Sequence, residues 1–150
     1  MKNMHVKKIL IVEDNDEDYT ATLRAFRKTA IGHPVFRCVD GDQVLDYLYR
    51  QNQFADLDGS PYPVLILLDL NLPNTDGKTV LSLIKLDERL KRIPVVVLST
   101  SNRQDDVDEC YQKGANSYLV KHSDFTRFTQ TIEALKTYWL EQAALPVKEG

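Results

Sequence analysis

Cysteine, glycine and proline are scarce in this sequence. Its 150 residues include 2 cysteines, 6 glycines and 6 prolines, a composition that excludes disulfide-rich, collagen-like and low-complexity chains. Cys38 and Cys110 lie far apart in the chain and match no metal-binding or redox motif. We therefore expect two reduced structural thiols and a cytoplasmic location.

The sequence also lacks an excess of positive charge and any long hydrophobic run. Lysine and arginine total 19 against 22 aspartate and glutamate residues, a net charge of -3. Nucleic-acid binding needs a basic excess to neutralise phosphates, so we expect no nucleic-acid partner. The longest apolar runs are far shorter than the roughly 20 residues of a membrane helix, and the run behind residues 1–8 is too short for a secretory signal. We expect no membrane partner either.

Short apolar runs, many of them rich in β-branched residues, recur along the chain. Runs of this kind that are apolar on both faces predict strands of a parallel sheet covered on both sides. The predicted strands are residues 9–12, 35–39, 64–68, 95–98 and 117–120. The second and the last of these are the weaker candidates.

Segments with helical periodicity separate these runs. Tyr19, Leu23, Phe26 and Ala30 recur at steps of four, three and four, and similar patterns begin near residues 41, 80, 107 and 125. Five strands alternating with five helices predict one doubly wound α/β domain. We expect a single domain over residues 1–150, with a core at about 7–140 and a tail at 141–150 that is too short for an output domain.

Chemically useful side chains follow four of the predicted strands. They are Glu13 and Asp14 after the first, Asp69 after the third, Ser99 after the fourth and Lys121 after the fifth. In a doubly wound sheet these strand ends share one edge, where ligands bind. Three crowded carboxylates repel unless they take up protons or hold a cation, and Mg²⁺ accepts such oxygen ligands. The plainer alternative is that the first acidic pair only caps a helix.

An aspartate beside Mg²⁺ can attack phosphorus and form an acyl phosphate. A lysine and the metal would offset charge on the transferred group, and a hydroxyl such as that of Ser99 could bind a phosphoryl oxygen. Taken singly, Ser99 and Lys121 are weak signals, because strand-end serines are usually caps and lysines are usually solvated.

In this order, the site residues resemble the receiver domain of two-component response regulators. The resemblance runs from about Lys7 to Leu140, and besides the residues above it includes Leu70 to Pro73, Asp76-Gly77 and Tyr118. It implies a flavodoxin-like (βα)5 fold with parallel strands in the order 2-1-3-4-5.

The resemblance implies a phosphoryl acceptor and a metal site. In that family's pattern, Asp69 accepts a phosphoryl group from a phosphohistidine of a sensor histidine kinase. Asp14 and Asp69 ligate Mg²⁺ directly, Glu13 acts through water, and Asn71 contributes its backbone carbonyl. The chain is then a phosphoacceptor signalling protein that catalyses only its own phosphorylation and dephosphorylation.

The resemblance also implies a switch. Ser99 and Lys121 bind the phosphoryl group, and Tyr118 turns inward when Ser99 moves toward it. Such a switch is a two-state element that a local change of charge biases.

A narrower resemblance is suggested by residues 92–101, by Tyr138-Trp139 at a helix end and by the short tail. Together they are similar to small stand-alone regulators that pair with bacterial phytochrome kinases, chiefly cyanobacterial ones. This resemblance implies a phytochrome-type sensor kinase as partner.

The sequence departs from the family pattern beside the site. His122 stands where proline usually follows the lysine in a cis bond; a cis bond before a non-proline residue costs about 2.5–4 kcal/mol, so this bond is expected to be trans or strained. Thr100 replaces a usually small residue and could narrow access to Asp69. Ser99 replaces the commoner threonine and keeps the hydroxyl. Residues 50–63 form a long loop of open purpose.

The last predicted helix carries apolar residues at steps of three and four, from Phe125 to Trp139. Most of this stripe is expected to pack on the sheet. Trp139, Leu140, Ala143, Leu145 and Val147 extend past the expected end of the sheet and would need another surface. We therefore predict a homodimer through the last helix and the tail.

Three other functions fit parts of the sequence. A flavin carrier would share the fold, but its first loop should bind phosphate through bare amides rather than carry Glu13 to Asp16. A phosphatase with a nucleophilic aspartate usually has a second acid two residues on, where Asn71 stands. A pseudo-receiver scaffold that takes no phosphate is the third alternative, and Thr100 and His122 leave it open.

Overall fold

The computed structural model describes residues 7–146 and contains one five-stranded sheet. The strands are β1 (Ile9–Val12), β2 (Val35–Cys38), β3 (Leu65–Asp69), β4 (Val95–Ser99) and β5 (Ser117–Val120). The helices are α1 (Asp16–Lys28), α2 (Gly41–Tyr49), α3 (Gly77–Leu86), α4 (Gln104–Gln112) and α5 (Phe125–Leu135). A 3-10 helix (Asn52–Leu57) follows α2, and a π-helical segment (Lys136–Gln142) follows α5.

The sheet is parallel throughout, and its strand order is β2-β1-β3-β4-β5. Both the flavodoxin-like fold and the predicted order are thus confirmed. β1, β3 and β4 are buried along their whole length, as expected for apolar strands covered on both faces. The edge strand β5 is only half-buried. In the register Asp69 pairs with Leu98, which brings Asp69 close to Ser99 at the carboxyl edge.

Side-chain caps set the starts of four helices. The side chains of Asn15, Asp40, Asp76 and Asp124 each accept a hydrogen bond from a backbone N–H in the first turn that follows. The last of these caps, Asp124, begins α5 through a hydrogen bond from the Thr126 N–H.

The helices form two layers. α2, α3 and α4 pack on one face of the sheet through residues such as Leu48, Leu81 and Cys110. α1 and α5 cover the other face through residues such as Phe26 and Ile132. The apolar residues of α3 (Val80, Leu81 and Ile84) are buried as their spacing predicts, whereas Tyr111 on α4 is 50% exposed.

The chain after α5 packs against its own domain. Trp139, Leu140 and Leu145 are half-buried on the cluster formed by α1, α5 and the sheet. These three side chains therefore find a surface within the chain, contrary to the expectation that they need another one. Val147 lies outside the described residues, and Tyr138 is 58% exposed.

The segment between α2 and β3 is anchored rather than loose. Arg50 lies in the left-handed region, and its guanidinium donates to the carbonyls of Tyr47, Ser60 and Pro61. Phe54 packs edge-on against the Tyr47 ring. In the part of the chain that the structure describes, no helix is both long and apolar enough to cross a membrane.

Candidate functional site

The carboxyl edge of the sheet positions the predicted site residues. Asp69 and Ser99 are the last residues of β3 and β4, and Glu13 and Lys121 directly follow β1 and β5. Because parallel strands end at one edge, side chains far apart in sequence meet there. Asp69 and Ser99 are buried, with 8% and 2% of their surface exposed.

Three carboxylates converge at this edge. One oxygen each of Glu13, Asp14 and Asp69 lies within 4.8 Å of the others. Glu13 is buried and Asp14 is exposed, so the cluster opens to solvent on one side. The predicted convergence of the acidic pair with Asp69 is confirmed.

Lys121 is the cation of the site. Its Nζ lies 2.7 Å from Glu13 Oε1 and 3.5 Å from Asp69 Oδ2. Asp18 Oδ2, at 3.4 Å, is a third carboxylate neighbour. Only 11% of the lysine side chain is exposed. Its backbone N–H donates to the Ser99 carbonyl at 2.7 Å, which ties the end of β5 to the end of β4.

Burial and crowding alter the acidity of these groups. Burial and the neighbouring Asp69 raise the pKa of Glu13 to about 7, although Lys121 opposes the shift. Burial alone would lower the pKa of Lys121, but its hydrogen bond to Glu13 and the charge of Asp69 outweigh burial and raise that pKa above its usual range. The site therefore holds more carboxylates than its one cation neutralises.

Two backbone contacts hold the acidic loops in place. Arg37 Nε, on β2, donates to the Glu13 carbonyl at 2.9 Å, and its guanidinium forms an ion pair with Asp16 at 2.9 Å. After β3, the Asn71 N–H donates to Asp69 Oδ1 at 3.2 Å. The structure thus brings Asn71 beside Asp69, as predicted.

A cavity of about 220 Å³ opens over the carboxylates. Lys121 and all four predicted metal-site residues line this cavity. The lining residues are Glu13, Asp14, Asn15, Asp18, Asp69, Asn71, Thr100 and Lys121. Oxygen ligands at about 2.1 Å from an octahedral Mg²⁺ lie roughly 3 to 4 Å apart. Three carboxylate oxygens within 4.8 Å of each other need only small side-chain movements to reach that spacing. The donor set therefore fits a hard divalent cation.

The predicted switch residues lie on neighbouring strands, Ser99 at the end of β4 and Tyr118 as the second residue of β5. Ser99 Oγ accepts a hydrogen bond from the Ser101 N–H at 3.1 Å. Tyr118 is half-buried, and its hydroxyl donates to the Ser101 carbonyl at 2.9 Å. Ser99 and Tyr118 thus contact the same residue, and Ser101 joins them.

The departures from the family pattern also have places in the structure. The bond between Lys121 and His122 is trans, since no cis peptide occurs in the described residues. Thr100 is exposed and lines the cavity over the carboxylates. With His122 it also lines a neighbouring, mainly apolar cavity of about 200 Å³, which Phe128 bounds.

Two contacts of the site are not predictable from the local sequence. Arg37 holds the Glu13 turn from 24 positions away, and Asp18 contacts Lys121 from 103 positions away. The sequence offers a weak signal for Asp18, because it is an acidic residue in the first turn of α1. The first residues of that helix point toward the carboxyl edge of the sheet. No local signal marks Arg37.

Comparison with known proteins identifies the family. The family model of the response regulator receiver domain matches residues 9–133. The response regulator Rcp1 of Synechocystis is 39% identical over 140 residues, which span 93% of this chain and 93% of Rcp1. The chain belongs to the response regulator receiver family, whose members are phosphoacceptor signalling proteins.

Solved structures agree with this assignment. The phosphorylated cyanobacterial phytochrome response regulator RcpA superposes with a TM-score of 0.85 at 41% identity, covering 93% of this chain and 98% of RcpA. The Mn²⁺-bound form of Rcp1 gives 0.85 at 39% identity, with 93% and 99% covered. RPA3017, which acts in red-light signalling of R. palustris, gives 0.87 at 37% identity, with 95% and 99% covered. The predicted resemblance to phytochrome response regulators is confirmed.

Proposed function

We propose that this protein accepts a phosphoryl group on Asp69 from a phosphohistidine of a sensor histidine kinase, in a reaction that requires Mg²⁺. The arrangement of Asp69 carries the proposal. Its buried carboxylate lies in a cluster with Glu13 and Asp14, and one of its oxygens is 3.5 Å from the Lys121 ammonium. Such a site combines a nucleophile, a cation-binding set and a fixed positive charge.

In the proposed step, a carboxylate oxygen of Asp69 attacks the phosphorus atom of phosphohistidine. An oxygen–phosphorus bond forms as the nitrogen–phosphorus bond breaks, and the donor imidazole leaves with that electron pair. The product is an acyl phosphate on Asp69. The nucleophile in this step is the carboxylate form of Asp69, so the step itself takes no proton from that residue.

The neighbouring residues support this step in distinct ways. Asp14 and Asp69 would bind Mg²⁺ directly, Glu13 through a water and Asn71 through its backbone carbonyl. The bound cation would offset negative charge on the phosphoryl oxygens. Lys121 would bind one of those oxygens, since its ammonium is held against Asp69 before the reaction.

The response to phosphorylation begins at Ser99. Its hydroxyl would turn to donate to a phosphoryl oxygen, and in doing so it would change its contact with the Ser101 N–H. Tyr118 contacts the carbonyl of that same residue. We propose that Tyr118 then moves inward and alters the surface that partners bind.

A phytochrome-type kinase is the proposed partner, because RcpA and Rcp1 are similar to this chain over nearly its whole length. We further propose a homodimer through α5 and the segment after it, where Tyr138 is exposed. Small-angle scattering at high micromolar concentration tests the dimer, and a monomer there would exclude it. The cytoplasmic location and the single-domain organisation stay predictions. The location is expected from two reduced structural thiols, and both cysteines are free and buried.

Intact mass after incubation with acetyl phosphate tests the function. We expect one phosphoryl adduct that requires Mg²⁺ and disappears in Asp69→Asn. Asp56→Asn is the matched control, since Asp56 is exposed on the 3-10 helix and takes no part in the site. A folded protein that gains no adduct in any condition would contradict the proposal and favour the scaffold alternative, with Thr100 and His122 as the first residues to change.

A further inference from the structure

The first residues of α2 are bonded to the loop that follows β3. This β3–α3 loop (residues 70–76) carries Asn71. The Gly41 N–H donates to the Pro73 carbonyl at 3.3 Å, and Asn74 Nδ2 donates to Asp40 Oδ2 at 3.1 Å. The shortest contact joins Thr75 Oγ1 to Asp42 Oδ1 at 2.7 Å. Three successive loop residues are therefore tied to the N-cap residue Asp40 and to the first two residues of α2.

The two segments are in close steric contact as well. A Cβ atom at Gly41 would lie 1.8 Å from the Thr75 carbonyl oxygen, so no side chain fits there. Asn74 adopts a φ of 66°, a left-handed conformation that asparagine tolerates better than most residues. The loop thus has a defined path against the start of α2.

The same loop is joined to the acceptor at its other end. The Asn71 N–H donates to Asp69 Oδ1, and the Gly77 N–H donates to the Leu70 carbonyl at 3.0 Å. A displacement of residues 73–75 would therefore move the Asn71 backbone relative to the carboxylates. Residues that hydrogen-bond to a metal ligand fix the orientation of that ligand and contribute to the affinity for the cation.

We propose that Asp42 and Thr75 are positioning residues for the divalent cation, acting through the β3–α3 loop. Their hydrogen bond holds the loop that carries the Asn71 backbone beside Asp69, where that backbone carbonyl would bind the cation. This inference rests on the proposed function, because it concerns the same metal site. It adds that the start of α2, outside the acidic cluster, regulates how tightly that site binds Mg²⁺.

Mg²⁺ titration followed by the Asn71 amide signal in NMR spectra measures the effect directly. We expect Asp42→Ala and Thr75→Val each to weaken Mg²⁺ binding about tenfold, the low end for partners behind metal ligands. The double variant should bind no more weakly than either single variant, because one shared bond is lost in each case. Thr75→Ser keeps the hydroxyl and should restore the affinity.

The matched control is Asp46→Ala. It removes the same charge from the same helix, but Asp46 has no side-chain hydrogen bond to the loop among the described residues. A purely electrostatic effect would weaken Mg²⁺ binding in Asp46→Ala as well as in Asp42→Ala, and it would leave the affinity unchanged in Thr75→Val, which removes no charge. Thermal unfolding of every variant identifies any loss of folding, and the conservative Thr75→Val change keeps the test usable if Asp42→Ala is unstable.

The outcomes separate the two proposals. Wild-type protein that binds Mg²⁺ beside variants that bind it equally well would overturn the positioning role and leave the phosphoacceptor function intact. Wild-type protein that binds no Mg²⁺ would overturn the metal-dependent function itself, and the positioning role with it. Additive losses in the double variant would also overturn the shared-bond account.

Discussion

Two partly buried lysines occupy opposite edges of the sheet. Lys121, at the carboxyl edge, faces the carboxylates of Glu13, Asp18 and Asp69, and its pKa is raised. Lys85, on α3, donates to the carbonyls of Lys91 and Ile93 just before β4, at the amino edge. Burial without a nearby counter-charge lowers the pKa of Lys85 to about 8.

The difference separates a chemical role from a structural one. At the carboxyl edge, an excess of carboxylates keeps an ammonium charged; in the proposed function, those carboxylates bind the cation and the ammonium binds the phosphoryl group. At the amino edge, the ammonium satisfies backbone carbonyls where the chain enters β4. Burial of a lysine is thus common to both edges, whereas carboxylate neighbours mark only the functional one.

Replacing each lysine gives the largest contrast. We expect Lys121→Met to slow phosphorylation by acetyl phosphate roughly 100- to 1000-fold, the usual cost of removing one group that stabilises developing charge. Lys85→Met should react at the wild-type rate. Time courses of the phosphoryl adduct measure both variants, and an equal loss in the two would abolish the proposed distinction between the edges.

Alanine substitutions at two glycines extend the comparison of the two sheet edges to protein stability. A Cβ at Gly77 would lie 2.5 Å from the Asp69 carbonyl oxygen, and one at Gly114 would lie 2.7 Å from Lys85 Cγ. We expect either alanine variant to lower the free energy of unfolding by about 2 kcal/mol, as overpacking does. Gly114 also has a φ of 105°, which strains any other residue.

Metal binding then distinguishes the two glycine variants. Gly77→Ala should also weaken Mg²⁺ binding, because it displaces the backbone next to Asp69, whereas Gly114→Ala should not. Urea unfolding and Mg²⁺ titration of the folded variants provide the two measurements. Equal Mg²⁺ affinity in both variants would show that the carboxyl edge tolerates the displacement.

The last effect is the pH dependence that Lys85 contributes. Its pKa is about 8 in the folded state against a usual 10.5, so between these values the unfolded chain binds more protons. The free energy of unfolding should therefore rise with pH from about 8 to 10.5, by less than the one-proton limit of about 1.4 kcal/mol per pH unit. Lys85→Met should lose this rise. Urea unfolding at a series of pH values tests it, and a slope unchanged in the variant would assign the rise to other groups.

The buried strands were predictable because their apolar runs are local. Each predicted strand agrees with the observed one to within a residue at either end, and the topological rules for parallel sheets then bring Glu13, Asp14, Asp69 and Lys121 to one edge. The roles of these residues, of Ser99 and of Tyr118 stay predictions, and the Asp69 and Lys121 variants above address two of them.

The parts that sequence analysis did not predict depend on distant contacts. Nothing near Arg37 in the sequence indicates that it holds the Glu13 carbonyl, and nothing near Asp42 indicates its bond to Thr75. The helical period of residues 125–139 predicted one helix, but the chain changes to π-helical hydrogen bonding at Lys136, where Trp139 and Leu140 turn toward the α1 side of the core. The sequence likewise predicts only a loop over residues 50–63, where the structure contains a 3-10 helix.

The dependence of the phosphorylation rate on Mg²⁺ concentration is the most direct test that Asp69 accepts a phosphoryl group at a Mg²⁺ site. We expect the rate with acetyl phosphate to rise to saturation, with its midpoint at the dissociation constant that the Asn71 amide reports for Mg²⁺ binding. That agreement would place the cation and the acceptor Asp69 in one site. A rate that does not respond to Mg²⁺ while the Asn71 amide signal shows Mg²⁺ binding would contradict the proposed Mg²⁺-dependent phosphorylation of Asp69.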